Sequence, residues 1–164
     1  MWRRCPKSLN MEIEKLKLLP LTDLDSLMQW RAEVLSHVFG HEPGAELLAE
    51  NRRYYAENVA AGLHLAVEAL YDGQGVGCGA ICLQDELPSP DNPNGRCAFL
   101  MNIYVHEEWR GKGIATALVK FLIAEAKARK CRKIYLETTD MARGLYRSLG
   151  FVPYNDVLKL PLEQ

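Results

Sequence analysis

The chain has 164 residues, of which 48% are hydrophobic and 25% are charged, and its formal net charge is −1. These proportions are ordinary for a globular protein and exclude collagen-like, coiled-coil and disordered chains. The near-neutral charge does not support wholesale nucleic-acid binding, and no apolar run approaches the roughly 20 residues of a membrane span. We therefore expect neither a nucleic-acid nor a membrane partner.

The length predicts one domain over residues 11–164, long enough to bury one core. Residues 1–10 are basic and lack the apolar stretch of a secretory signal, so we interpret them as a loosely ordered arm or an upstream start. The five cysteines are an odd number without metal-like spacing. This pattern favours a reduced, cytoplasmic protein without a metal site.

The first half of the chain predicts a strand, two helices and a hairpin. Apolar residues recur at helical spacing after Thr22 or Asp23, either of which can cap a helix. Alternation from Leu63 to Tyr71, followed by Asp72-Gly73 and an apolar return from Val76 to Leu83, is typical of a tight hairpin. The expected elements are a strand over 11–18, a helix ending at Gly40, a helix from Pro43 to Gly62, and hairpin strands over 63–71 and 76–83.

The second half predicts alternating strands and helices after a loop rich in proline and asparagine. The expected elements are a loop over 88–95, a strand over 97–105, a helix from residue 114, a strand over 134–138, a helix over 141–148 and a last strand over 151–160. The resulting order, β-α-α-β-β-β-α-β-α-β, predicts a mixed α/β fold.

A glycine turn is the most informative feature of the chain. The apolar strand ending at Val105 leads into a short loop in which Gly111 and Gly113 flank Lys112, and a helix pattern follows at once. The first N–H groups of a helix lack partners and attract anions, usually phosphate. Residues 1–100 hold nine Lys or Arg against fourteen Asp or Glu, whereas residues 101–164 hold eleven against seven. A polyanionic cofactor on the second half is consistent with this asymmetry.

Three segments together resemble one family. Residues 110–115 resemble the [Q/R]-x-x-G-x-[G/A] pyrophosphate loop of the GNAT N-acetyltransferase superfamily, residues 142–151 are similar to its A-x-x-L-Y-x-x-x-G-F signature, and residues 100–105 resemble its central strand. The resemblance implies a GNAT-like fold, in which helices flank a central mixed sheet with splayed central strands. It also implies acetyl-CoA as cosubstrate.

The resemblance assigns roles to individual residues. It implies that Tyr146 is the general acid that protonates the leaving thiolate, and that Glu137 or a water chain is the general base; Glu86 and Asp140 are weaker candidates. Thr139 stands where relatives often carry a cofactor-contacting asparagine. The implied cofactor-binding residues are Ile103, Tyr104, Val105, Arg110, Gly111, Lys112, Gly113, Ile114, Ala115, Thr116 and Thr139.

Acceptor specificity in this family comes from the N-terminal helices and nearby loops. We predict that Asn102, Trp30, Tyr54 and Tyr55 bind the acceptor. The same region contains the loop over 88–95. It also contains further charged residues, namely Arg31, Glu33, Arg52 and Arg53. The acidic balance of residues 1–100 favours a cationic acceptor such as a polyamine, an amino sugar or lysine.

These observations predict an acetyl-CoA-dependent enzyme that acetylates a primary amine of a small molecule, such as an amino sugar, polyamine, amino acid or antibiotic-like amine. No cysteine occupies a motif position, so we expect direct transfer. Two alternatives stay open, a protein N-terminal or lysine acetyltransferase and a non-catalytic acyl-CoA sensor. The sequence leaves the oligomeric state open, a homodimer included.

Overall fold

The computed structural model describes residues 13–154 and 157–162. The expected arm over residues 1–10 and the start of the first predicted strand lie outside the described residues. The strands are β1 (Leu16–Leu21), β2 (His64–Tyr71), β3 (Gln74–Asp85), β4 (Arg96–Val105) and β5 (Lys133–Tyr135). The helices are α1 (Leu24–Phe39), α2 (Ala45–Ala60), α3 (Ile114–Ala128) and α4 (Arg143–Ser148), and single 3-10 turns span Ile13–Lys15 and Glu107–Trp109.

The five strands form one mixed sheet in the order β1-β2-β3-β4-β5. β1 to β4 pair antiparallel with their sequence neighbours, and β5 pairs parallel with β4. The helix α3 supplies the crossover that a parallel pair requires. The mixed α/β fold class predicted from the sequence is therefore confirmed.

Helices cover both faces of the sheet because each carries one apolar stripe. On one face, Ile114, Leu118 and Leu122 of α3 are buried against Val67 and Leu100 of the strands. On the other face a second cluster joins α1 and α2 to β1–β4, and its buried members are Leu21, Leu27, Trp30, Val34, Tyr55 and Cys78. Each fully buried Leu or Ile contributes about 2 kcal/mol.

Local signals set most element boundaries as predicted. Asp23 caps α1 by accepting a hydrogen bond of 2.9 Å from the Ser26 N–H, and Gly40 ends it with a φ of 75°. Asp72 and Gly73 take φ values of 51° and 83° in the hairpin turn, the left-handed region that this turn requires. The segment over 88–95 contains no helix or strand beyond one isolated bridge between Ser89 and Asn92.

The prediction of a last strand over 151–160 is wrong for its described residues. Residues 151–154 and 157–162 form no strand, and the large apolar side chains after Phe151 stay exposed, Val152 at 80% and Leu158 at 95%. Pro153 has no N–H to donate to a ladder, and β5 offers only three residues for pairing. β5 itself ends at Tyr135, three residues earlier than predicted.

One buried histidine fixes α2 against β2. His64 is 3% exposed, its ring lies between Tyr54 and Tyr55 at centroid distances of 5.4 and 5.1 Å, and its Nδ1 shares a 3.1 Å hydrogen bond with the Tyr54 hydroxyl. Burial, with the Arg31 charge adding to it, lowers the pKa of His64 to about 4. The folded protein therefore holds this imidazole neutral near pH 7.

We predict that His64 makes the fold acid-sensitive. Because its folded pKa of about 4 lies below the usual 6.5, the stability it contributes is complete above pH 6.5 and is lost as the pH falls toward 4. The loss approaches about 3 kcal/mol. Urea unfolding at pH 7 and pH 4.5 should show a smaller decrease in the free energy of unfolding for His64→Gln than for wild type. The exposed His41→Gln control should match wild type, and parallel pH dependences of wild type and His64→Gln would contradict the assignment.

Candidate active site

A bulge in β4 begins the site. The register pairs Ala80 with Met101 and then Cys78 with Tyr104, so Asn102 and Ile103 together lie opposite Gly79. Asn102 has a φ of 59°, the left-handed conformation that such a bulge uses. Gly79 leaves the required space, since a Cβ there would lie 2.5 Å from Cδ1 of Ile103. The bulge re-aims the side chains of the last four residues of β4.

Three residues before the bulge, β4 and β5 separate. The parallel pairing covers only three residue pairs, the last of which joins Phe99 to Tyr135. After this point the chain from Leu136 belongs to no strand, and within the described residues no strand lies beside Ile103–Val105 on that edge. The splayed central strands predicted from the sequence are confirmed. Such an edge can pair with an extended, amide-bearing ligand in the manner of an added strand.

The glycine turn presents a row of free backbone donors. Gly111 and Gly113 have φ values of 71° and 83°, and α3 begins immediately afterwards without a side-chain cap. Among the described residues, no acceptor bonds the six N–H groups of residues 111–116; the Ala117 N–H is the next to be bonded, to the Gly113 carbonyl at 3.0 Å. Six adjacent amides and the positive end of a helix dipole together suit a phosphate or pyrophosphate group.

Two cations of the turn are tied to the protein itself. Nε of Arg110 donates to the Val105 carbonyl at 2.9 Å, and its Nη2 lies 3.3 Å from Nε2 of His37. Nζ of Lys112 donates to the Glu108 carbonyl at 2.9 Å and lies 4.8 Å from the centroid of the Trp109 ring. These bonds hold the turn in shape and leave anion contact to the backbone amides, while both charges add to the positive potential.

Tyr146 lies on α4 and is largely buried. The residue is 9% exposed, its ring packs edge-on to Phe151 at 5.7 Å, and its hydroxyl bonds to no described residue. Burial raises the pKa of Tyr146 above its usual value. The hydroxyl therefore stays protonated near neutral pH and keeps a hydrogen to donate.

The segment between β5 and α4 carries the remaining predicted residues. Glu137 follows β5 by two residues and is exposed. Thr139 stabilises the turn that precedes α4, because its carbonyl accepts from the Arg143 N–H at 3.1 Å and its Oγ1 from the Ala142 N–H at 3.4 Å. Asp140 forms an ion pair with Arg143 at 2.7 Å. Thr139 thus has a local structural role, and its contact with a cofactor stays a prediction.

On the α1/α2 face of the sheet, a cavity of about 350 Å³ adjoins the bulge. Its lining residues are Arg31, Asn51, Tyr54, Tyr55, Cys82, Gln84, Met101 and Asn102. Three of the four predicted acceptor-binding residues, Asn102, Tyr54 and Tyr55, therefore lie together. Trp30 does not line this cavity: it is 7% exposed, and its Nε1 donates to Oε1 of Glu68 at 2.9 Å.

A model of the acetyltransferase (GNAT) family matches residues 24–151 of the chain. The chain belongs to the GNAT acetyltransferase family. A predicted acetyltransferase of Clostridium acetobutylicum, solved with acetyl-CoA, superposes with a TM-score of 0.80 at 27% identity, over 89% of this chain and 96% of that one. A GCN5-related N-acetyltransferase of Ralstonia eutropha JMP134 has the same fold, with a TM-score of 0.75 at 22% identity over 89% and 98% of the two chains.

One curated relative matches only a segment. The aminoglycoside 2'-N-acetyltransferase of Mycolicibacterium fortuitum is 36% identical over 63 residues, which are 36% of this chain and 30% of that enzyme. The GNAT chain thus spans less than a third of that relative's length. A match of this extent supports the family and leaves the acceptor undecided.

Two further observations concern membrane-spanning helices and metal ligands. In the described part of the chain, no helix is long and apolar enough to cross a membrane. Within the same residues, no group of three or more His, Cys, Asp or Glu side chains is placed to hold a metal ion.

Several cavity residues were not singled out from the sequence. Cys82 and Gln84 line the cavity because they alternate with core residues along β3, so the period-2 pattern could have identified them. Asn51 could not be identified in this way, since its role depends on a contact with Arg31 of another helix. Glu86, a weaker candidate base, pairs with Lys133 at 2.7 Å.

We predict that Gly113→Ala weakens coenzyme A binding at least 10-fold. An Ala at a φ of 83° costs about 1–2 kcal/mol in the left-handed region, and relief of this strain would re-aim the amides of the turn. Isothermal calorimetry with coenzyme A measures the affinity, and urea unfolding measures the stability.

Gly62→Ala is the matched control. Gly62 has a φ of 70°, and a Cβ added there would meet no atom within 4 Å, as at Gly113, but it lies after α2. Both variants should lose similar stability, and only Gly113→Ala should lose affinity. Equal affinity in the two variants would contradict a role of the turn in binding.

Proposed function

We propose that this chain is an acetyl-CoA-dependent N-acetyltransferase that transfers the acetyl group directly to a primary amine of a small molecule. The observation that carries the proposal is the presence of two sets of free backbone groups, the amides of residues 111–116 and the open edge of Ile103–Val105, which the bond from Arg110 to the Val105 carbonyl ties together. The family membership supports acetyl transfer. The volume of the cavity, about 350 Å³, supports a small acceptor rather than a protein chain.

The backbone of the site suits the parts of acetyl-CoA. In this proposal the amides of residues 111–116 bind the pyrophosphate, and the edge of Ile103–Val105 pairs with the amide-bearing pantetheine arm. One N–H of that edge polarises the thioester carbonyl and stabilises the oxyanion that forms during attack. The acceptor approaches from the side of the cavity, because Asn102 lines the cavity and directly precedes Ile103.

The chemical step forms a C–N bond and breaks a C–S bond. The neutral amine attacks the thioester carbon, the tetrahedral intermediate collapses, and the coenzyme A thiolate leaves. Tyr146 donates its hydroxyl proton to this thiolate, and the burial that raises the pKa of Tyr146 keeps the proton available. The amine loses its proton to Glu137 or to water, and Glu137 is exposed enough to exchange that proton with solvent.

The cysteines favour direct transfer over an acetyl-enzyme. Burial raises the pKa of Cys97 to about 11 and also raises the pKa values of Cys78 and Cys131, which lowers their thiolate fractions near neutral pH. Cys82 is the thiol that lines the cavity. Attack by Cys82 would form a stable thioester on the protein, so the intact mass of the protein distinguishes the two routes.

Acetyl-CoA consumption over amino acids, amino sugars, polyamines, aminoglycosides and peptides tests the proposed activity. We expect turnover with at least one small amine and no acetylated Cys82 in the mass spectrum. Turnover only with peptides would favour a protein acetyltransferase. Tight coenzyme A binding without consumption of acetyl-CoA by any amine would instead show a sensor and refute the proposal.

We predict that Tyr146→Phe lowers kcat about 100-fold, the size typical of a lost general acid. Its affinity for coenzyme A should stay within twofold, because the ring still packs against Phe151. Stopped-flow or steady-state release of coenzyme A measures the rate. Tyr154→Phe, which removes the hydroxyl of a half-exposed tyrosine bonded to Lys133, should behave like wild type. An unchanged kcat in Tyr146→Phe would remove Tyr146 as the acid.

A further inference from the structure

Arg31 is the charged residue of the acceptor cavity. It reaches from α1 toward the bulge, where its Nε donates to Oδ1 of Asn51 at 2.9 Å and its Nη1 donates to Oδ1 of Asn102 at 2.8 Å. Both acceptors are neutral amides. Among the described residues, no carboxylate oxygen lies within 4.0 Å of the Arg31 guanidinium.

The Arg31 guanidinium therefore keeps unused N–H donors and a positive charge that no nearby carboxylate balances. It carries five N–H groups in one plane, and the two amide contacts use two of them. A partly buried cation without a counter-charge is costly, and the remaining donors match the two oxygens of a carboxylate. The fixed orientation set by Asn51 and Asn102 lowers the entropy that binding would cost.

The surrounding groups leave the cavity positive. Burial raises the pKa of Tyr55 to about 12 and also raises that of Tyr54, so both phenols stay neutral. Two carboxylates on α1 and β2 have other partners. Oε1 of Glu33 lies 2.7 Å from Nε2 of His106, and Oε1 of Glu68 accepts a hydrogen bond from Nε1 of Trp30. None of the eight lining residues is acidic. A polycationic acceptor would meet an uncompensated guanidinium here.

We propose that the acceptor is a small amine that also carries a carboxylate, which Arg31 binds. This inference rests on the proposed N-acetyltransferase activity and names its substrate class. Asn102 links the two parts of the site, because it bonds to Arg31 and directly precedes the edge at Ile103–Val105. The carboxylate at Arg31 would place the amine of the same molecule beside that edge. The cationic acceptor favoured by the acidic balance of residues 1–100 is thus replaced by an amino carboxylate.

Matched substrates test the substrate class with the full chain. Each amino acid is compared with its own carboxamide and with its decarboxylated amine, and tobramycin and spermidine represent polycations. We expect kcat/KM for at least one amino acid to exceed that for its carboxamide at least 10-fold. Equal values for every pair, or faster turnover of a polycation, would overturn the inference and leave the acetyltransferase activity intact.

Binding separates this inference from the proposed function. Calorimetry of the chain saturated with coenzyme A should show binding of an amino acid and at least 10-fold weaker binding of its carboxamide. If binding shows this preference but no acetyl-CoA is consumed, the carboxylate site stands and the transferase proposal fails. If neither amino acid nor carboxamide binds or reacts while another amine is acetylated, the carboxylate site fails alone.

Two variants of different design test the role of Arg31. Arg31→Gln removes the charge and should raise KM for the amino acid at least 10-fold, with kcat and coenzyme A affinity within twofold. Asn51→Asp keeps Arg31 and supplies a carboxylate at the position 2.9 Å from Nε of Arg31. It should therefore remove the preference for an amino acid over its carboxamide, even if Arg31→Gln folds poorly. Arg52→Gln, which breaks an exposed ion pair with Asp25, should match wild type. An unchanged preference in Asn51→Asp would refute the site.

Discussion

The early separation of β4 from β5 is the constraint on which the site depends. Parallel pairing stops at Phe99 and Tyr135, and the bulge at Asn102 turns the rest of β4 away from its neighbour. One edge of the last residues of β4 consequently stays open, and the glycine turn follows that edge after the 3-10 turn Glu107–Trp109. The acceptor cavity adjoins the same bulge from the face covered by α1 and α2. One short irregularity of the sheet thus lies between the proposed cosubstrate edge and the proposed acceptor cavity.

The two sides use different physical means of recognition. The turn offers backbone amides and a helix dipole, whose geometry the positive φ angles at Gly111 and Gly113 determine and Arg110 stabilises through the Val105 carbonyl. The cavity offers the single, partly buried guanidinium of Arg31. Backbone donors tolerate almost any side chain around them, whereas the cavity depends on individual side chains. In the proposed site, the cosubstrate side would therefore tolerate substitution of side chains better than the acceptor side.

Signals confined to neighbouring residues predicted the fold well. Asp23, Gly40 and Asp72-Gly73 set their boundaries through caps and turns, and the glycine turn needed only its own residues to indicate an anion site. Pairing between distant segments was not predictable in this way, as the short β5 shows and as the described residues of 151–160, which form no strand, also show. The same limit applies to the cavity, where Arg31 bonds to a residue 71 positions away and Trp30 is a core residue. Alternation and helical period indicate which face a residue occupies, but they do not indicate its partner across the core.

The unequal attachment of the strands has a consequence for motion. β1 to β4 form a continuous antiparallel ladder between sequence neighbours, whereas β5 is attached by three residue pairs and is followed by irregular chain up to α4. Sub-global opening costs least where the ladder is shortest, so amide protons of β5 and α4 should exchange with solvent before those of β2–β4. A ligand that bridges β4 and α4 would have to order the weakly attached segment of β5 and α4. The entropy lost in that ordering would reduce the net affinity of the ligand.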